Sequence, residues 1–438
     1  MTEHVSERTA TKPATDTRQA RRAAIGGGVG TLIEYYDFSL YGYMAVVMAP
    51  VFFPSDDPTI SLLSALAVFG TAYLMRPLGG VFFGYLGDRR GRKTALLATL
   101  ACMGIGSTVM GLLPTYADVG VWATVLLVVV RMIQGFSAGG EIGGSATFIS
   151  ESAPARMKAT FGAFTPLGST LGFAVAAAAA GTVSAFTTEE QMLAWGWRIP
   201  FLLAFPLTLL CLWARTRVQE THDGAEVPGH GRSPLVTVIR RYPWPLLQAV
   251  GMSIACNGTA YIGLTYMSIH LMKSLGYERT PVYWIATAVI GAVALAMPLG
   301  GLLADRIGRI KLCALSLIGF TVVTYPAMAV MDINLTIAAI AYLVIMVNTI
   351  GTQVGSYTLL PLLFDQEVRY TGVALGFNIG VIIAGGSAPY IAVWLIENTG
   401  NVLAPAFFVI TASLIGLASL AGITRNPNAA TPVAGGLD

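Results

Sequence analysis

Two stretches of this chain carry the same punctuation. Gly84-Tyr85-Leu86-Gly87-Asp88-Arg89-Arg90-Gly91-Arg92-Lys93 closes one long apolar run, and Gly301-Leu302-Leu303-Ala304-Asp305-Arg306-Ile307-Gly308-Arg309 closes another. Each is led in by Pro-Leu-Gly-Gly, at Pro77 to Gly80 and at Pro298 to Gly301. Gly301 follows Gly84 by 217 residues, close to half of the 438-residue chain. A repeat of that length marks a duplicated structural half. Halves made of membrane-length apolar segments and joined by basic loops are the architecture of a secondary transporter.

Composition agrees: the chain is 55% hydrophobic and 11% charged, where a soluble domain carries about 25% charged residues. A membrane helix needs about 20 apolar residues, and about twelve such segments can be laid along the sequence. They are predicted at 24–53, 60–86, 94–114, 121–151, 158–185 and 199–214, then at 246–272, 282–304, 311–331, 335–363, 370–396 and 402–424. The expected fold is an all-α membrane protein of two pseudo-symmetric six-helix bundles, 24–214 and 246–424. A polar loop, 215–245, joins them, and tails span 1–23 and 425–438.

Lys and Arg give the orientation. With the N-terminus inside, the inner segments hold 21 of the 26 basic residues. Cytoplasmic loops carry such an excess, so both termini are expected in the cytoplasm, with the protein multi-pass in the cytoplasmic membrane. The net charge of +3 is too small to argue for nucleic acid. The polar, acid-containing residues 1–22 do not read as a cleaved signal. Cys102, Cys211, Cys256 and Cys313 sit in apolar runs with no metal-site spacing, as small buried hydrophobes do. No Ser/His/Asp set, metal spacing or phosphate loop suggests an enzyme, and no cofactor is expected beyond a coupled proton.

An ionised side chain at mid-bilayer costs about 2.5–3.5 kcal/mol on insertion scales. Five nevertheless fall inside predicted helices, all in the first half: Glu34, Asp37, Arg76, Arg131 and Glu141. At about 1.5 Å per residue, Asp37 and Arg131 both come to rest near mid-membrane, where they are placed to pair. Glu34, Asp37 and Tyr41 share one helical face, and Arg131, Gln134 and Glu141 share another more loosely. Three acids facing two arginines leave one acid to titrate, as proton coupling requires. Arg76 and Arg131 are the candidate anchors for a substrate carboxylate, because a guanidinium grips one with a planar fork, and Tyr41 and Gln134 on those two faces are further substrate-binding candidates. The second half offers uncharged candidates for the cavity wall: Asn257, Tyr261, Asn348, Tyr357 and Asn378. Asp88 and Asp305 recur at helix ends before Arg, where an acid can cap a facing helix or hold a cation, so both are gating candidates.

Four runs resemble the signatures of the metabolite:proton symporter family of the major facilitator superfamily. They are Gly30-Thr31-Leu32-Ile33-Glu34-Tyr35-Tyr36-Asp37-Phe38, Leu74-Met75-Arg76-Pro77-Leu78-Gly79-Gly80, Arg131-Met132-Ile133-Gln134-Gly135-Phe136-Ser137-Ala138-Gly139-Gly140-Glu141 and Trp195-Gly196-Trp197-Arg198-Ile199-Pro200-Phe201. The resemblance covers residues from about 25 to 424. It implies alternating access between two bundles and import of an organic acid or zwitterion with a proton. By the same resemblance, Asp37 and Arg131 look like a proton-linked pair. Asp88 and Arg92 look like inner-gate residues, and Glu151 and Arg156 like their network partners, with Arg309 in the second repeat beside Asp305. The tail after Arg425 is short and lacks heptads, unlike the coiled-coil tails of some proline/betaine permeases. Thr165-Pro166-Leu167-Gly168 stands where drug exporters carry a Gly-Pro signature. The expectation is a monomeric symporter for a small carboxylate-bearing metabolite. A proton-coupled antiporter or exporter, and then a non-transporting membrane sensor, are the alternatives.

Overall fold

The computed structural model of the protein describes residues 17–139, 157–217, 234–365 and 367–424. The structure is helical almost throughout. In the first half α1 is Thr17–Phe52, α2 Pro58–Arg90, α3 Arg92–Leu112, α4 Val121–Ala138, α5 Lys158–Phe186 and α6 Arg198–Arg217. In the second, α7 is Pro243–Tyr261, continued by π-turns Ile262–Tyr266 and His270–Ser274. Then come α8 (Arg279–Ile307), α9 (Arg309–Ala329), α10 (Leu335–Leu363), α11 (Arg369–Thr399) and α12 (Ala404–Thr424). Among the described residues nine spans are long and apolar enough to cross a membrane, and a tenth forms where Glu189–Gly196 bends by 46° into Arg198–Trp213. The helices α1 and α7 fall outside that test because they carry the polar residues of the molecule's centre, among them Glu34, Asp37 and Asn257.

The duplication is visible in the packing. The helix α1 lies on α5, α2 on α4 and α3 on α6; six helices later α7 lies on α11, α8 on α10 and α9 on α12. The halves meet where α5 packs on α8 and α2 on α11, and the two seams are equivalent under the same shift. The repeated loops are equivalent too. Gly91 and Gly308, at φ +89° and +94°, sit before α3 and α9, in a region where a side chain is strained. Where α2 crosses α4, a Cβ on Gly135 would lie 1.8 Å from the Ala72 carbonyl oxygen, and one on Gly79 1.7 Å from that of Phe136. Small residues here allow backbone-to-backbone packing.

Three expectations are corrected. The first helix begins at Thr17, seven residues before the predicted start, since Arg18 to Ala24 are good helix formers. The predicted loop 215–245 contains a helix, Pro234–Arg241, with Val238 buried and Leu235, Val236 and Ile239 exposed. Its short apolar stretch is amphipathic rather than irregular. Cys102 is exposed on α3, while the other three cysteines are buried.

Candidate functional site

The helices α1, α2 and α4 bring the buried charges together. Arg76 and Arg131 are 2% and 0% exposed, and Asp37 is 1% exposed. The guanidinium carbon of Arg76 sits 4.4 Å from the Phe38 ring centre and 4.7 Å from that of Tyr73. That of Arg131 sits 4.4 Å from Tyr41, 4.9 Å from Phe38 and 5.5 Å from Phe69. Phe38 therefore lies between two cations. Each desolvated cation–ring contact contributes up to about 2 kcal/mol, enough in combination to offset much of an arginine's burial. Their polar edges remain available: Arg76 Nε, Arg131 Nε and Arg131 Nη2 have no hydrogen-bond partner.

Asp37 and Arg131 do not meet as the direct pair their shared depth predicts. Arg131 sits among its three rings, and its Nη1 donates instead to Gln134 Oε1 at 3.0 Å. Gln134 Nε2 donates to Ser107 Oγ on α3 at 2.9 Å. Ser107 in turn lies against the Asp37 carboxylate, whose two oxygens complete no standard hydrogen bond. Glu34, also buried, neighbours Arg76 together with Tyr35, Tyr73 and Tyr261.

The second half supplies the opposite wall. Tyr261 packs against Tyr73 and Phe173, at 5.7 Å each, and against Phe69 at 6.3 Å. Tyr357 faces Tyr35 and packs against Phe377, the tilted rings 5.7 Å apart. Asn257 donates to Ser253 at 3.0 Å across one turn of α7 and abuts Gly385 of α11. Asn378 donates to the Ala374 carbonyl and keeps Oδ1 buried without a partner. Asn348 is not with them. Its amide donates to Val344 and Ile345 of its own helix, and its side chain fills the gap over Gly319 of α9. Its amide is satisfied within α10 and its side chain packs on α9, so Asn348, against expectation, does not line the central site. Tyr41, expected to face substrate, donates to the Ala65 carbonyl at 3.0 Å and offers its ring to Arg131.

Contacts between the halves stand at both ends of the helices. On the side of the repeated loops, Asp305 accepts from Ala159 N (3.0 Å), Thr160 N (2.9 Å) and Thr160 Oγ1 (2.7 Å), and so caps α5 from α8. Arg309 reaches the Thr358 carbonyl at 3.4 Å. At the other end Arg279 pairs with Glu189 at 2.7 Å, and Ser184 bonds Thr280 at 2.8 Å. Tyr43 donates to the Leu264 carbonyl at 2.6 Å and Tyr342 to that of Gly263 at 2.5 Å, so two hydroxyls take up carbonyls released by the π-turn of α7. Glu141, Glu151 and Arg156 lie outside the described residues, as do the side chains of Asp88 and Arg92. The aromatic partners Phe38, Phe69 and Tyr73 escaped the sequence reading, although Phe69, Tyr73 and Arg76 recur at helical spacing. Ser107 had no sequence signal at all.

The family described as "Sugar (and other) transporter" matches residues 24–223 and again 220–422. The chain is 34% identical to the proline/betaine transporter of Escherichia coli (strain K12) over 435 residues, covering 96% of this chain and 86% of that protein. It is 34% identical to the shikimate transporter of the same strain over 407 residues, 91% of this chain and 93% of the other. Among solved structures, the major facilitator superfamily proton:xylose symporter XylE, bound to 6-bromo-6-deoxy-D-glucose, superposes with a TM-score of 0.73. That match has 16% identity and covers 92% of this chain and 95% of the other.

Proposed function

Because the chain belongs to the sugar (and other) transporter family of the major facilitator superfamily, we propose that it is a proton-coupled symporter importing a small carboxylate-bearing metabolite by alternating access. One observation carries the reading: Arg76 and Arg131 are buried on aromatic faces with donors left unpaired, beside an acid, Asp37, that they do not neutralise by direct contact. A guanidinium seated this way offers its edge to a carboxylate. The substrates named for the relatives, proline, betaine, ectoine, pipecolic acid and shikimate, each bear one carboxylate.

In this reading bundles 24–214 and 246–424 rock about the centre, joined by 215–245. Asp37 takes the coupled proton, with Glu34 and Glu141 as further acids. Tyr261, Tyr357, Asn257 and Asn378 shape the substrate's uncharged end. Asp305, and by repetition Asp88, latch the inner side, with Arg92, Arg309, Glu151 and Arg156 around them. The protein sits in the cytoplasmic membrane as a monomer with both termini inside, as the distribution of Lys and Arg supports. No cofactor takes part. The test is uptake of labelled proline, betaine and shikimate into proteoliposomes under an imposed inward proton gradient. Accumulation that collapses with an uncoupler supports the reading; accumulation driven only by an outward gradient makes the protein an antiporter.

A further inference from the structure

The hydrogen-bond chain at the centre has only one possible direction. An arginine can only donate, so the Gln134 atom facing Arg131 is its oxygen. The Gln134 atom facing Ser107 is then its NH₂ group, which also can only donate. Ser107 therefore accepts, at 2.9 Å, and its own hydroxyl hydrogen is left to point elsewhere. The buried group beside it in need of a donor is Asp37, whose carboxylate oxygens have no hydrogen-bond partner. Gln134 is held in place by packing, since its Cγ lies 2.8 Å from where a Cβ on Gly106 would stand. Ser107 and Gln134 are themselves 0% and 1% exposed, so water does not substitute for either.

We propose that Ser107 and Gln134 are positioning residues for Asp37: a one-way run of donors from Arg131 through Gln134 and Ser107 sets the pH at which Asp37 takes up its proton. The inference rests on the reading that Asp37 carries the coupled proton. Arg131 then acts on Asp37 through two intermediaries, and Gln134 belongs to coupling rather than to substrate. Protonating Asp37 replaces the charged acceptor that the Ser107 hydroxyl serves with a weaker, neutral one. The last link of the run is then weakened, and the change reaches the guanidinium that would hold the substrate.

Tyr36 is the titratable neighbour of Asp37 on its own helix, which also carries Glu34, Tyr35, Tyr41 and Tyr43. Of the helices packed against it, α2 carries the buried Tyr73 and Arg76, and α4 carries Arg131. On α3, α5 and α6 the charged residues stand only at helix ends: Arg92 and Lys93, Lys158, and Arg198, Arg215 and Arg217. Removing the Ser107 hydroxyl leaves all of these in place.

The test is infrared difference spectroscopy on purified full-length protein in lipid, titrated across pH. The protonated-carboxyl band lost in Asp37→Asn reports Asp37 itself. A hydrogen bond to a charged group is worth about 1.5–3 kcal/mol, so Ser107→Ala should move the midpoint of that band upward by about 1–2 pH units. Ser107→Thr, which keeps the hydroxyl, should restore the wild-type midpoint. Gln134→Leu breaks the run one link earlier and should move the midpoint the same way; it decides the matter if Ser107→Ala does not fold. A midpoint that neither variant moves overturns the proposal, because the Ser107 hydroxyl then turns back on its own helix. If the midpoint moves but Asp37→Asn still accumulates substrate on a proton gradient, the run stands and the coupling role of Asp37 falls.

Discussion

Asp305, at the end of α8, takes both the backbone N–H and the hydroxyl of Thr160, at the start of α5, at 2.9 and 2.7 Å. The two residues belong to opposite halves, 145 positions apart. Charge-assisted bonds of this kind are worth about 1.5–3 kcal/mol each, and conformational equilibria are only a few kcal/mol deep. Asp305→Ala should therefore move the resting protein toward the state open on the side of the repeated loops. Spin labels on cysteine pairs across that mouth would show a longer distance, with substrate affinity retained. An unchanged distance distribution would assign the contact to folding alone.

Asp37→Asn should abolish proton-driven accumulation while leaving counterflow exchange, which needs no net proton movement. The check is paired uptake and counterflow in proteoliposomes. Normal accumulation in the variant would move the coupling role to Glu34 or Glu141.

Arg76→Lys should weaken carboxylate binding by about tenfold. A point ammonium keeps the charge but loses the planar fork and part of the contact with Phe38 and Tyr73. Calorimetry measures it directly. Unchanged binding in Arg76→Ala would leave Arg131 as the anion anchor.

Gly135→Ala should destabilise the fold by about 1–3 kcal/mol, the usual cost of overpacking, because the new methyl falls 1.8 Å from the Ala72 carbonyl oxygen. A lower melting temperature of the purified protein is the readout. Gly84→Ala, with nothing within 4 Å of its Cβ, is the matched control and should melt like the wild type.

What the sequence made legible was linear. Membrane-length apolar runs, the repeated Asp-Arg loops and five charges in apolar surroundings can be read residue by residue. Arg76, Arg131 and Asp37 are all buried among the helices. What stayed hidden depends on which helices touch. Ser107 resembles Thr99 or Thr108 in the sequence, and it matters only because α3 brings it to Gln134, 27 positions away. Asn348 looked like a cavity residue by type, yet α10 turns it toward α9. The direct Asp37–Arg131 pair failed for a related reason: equal depth says nothing of azimuth, and three aromatic rings had already claimed the guanidinium.

The glycine crossing of α2 and α4 has a further reach. With the two backbones in contact at Gly79 and Gly135, Arg76 and Arg131 are carried on one closely packed pair of helices, which under the proposed alternating access would hold their spacing. Under the proposed function, charge recognition falls to the first half, and Tyr261, Tyr357 and Asn378 from the second would meet only the uncharged remainder of a solute. In that reading duplication releases one copy from the chemistry that the other must preserve. Solute range can then be redrawn by drift in the second copy, with the anion hook and the proton machinery left intact.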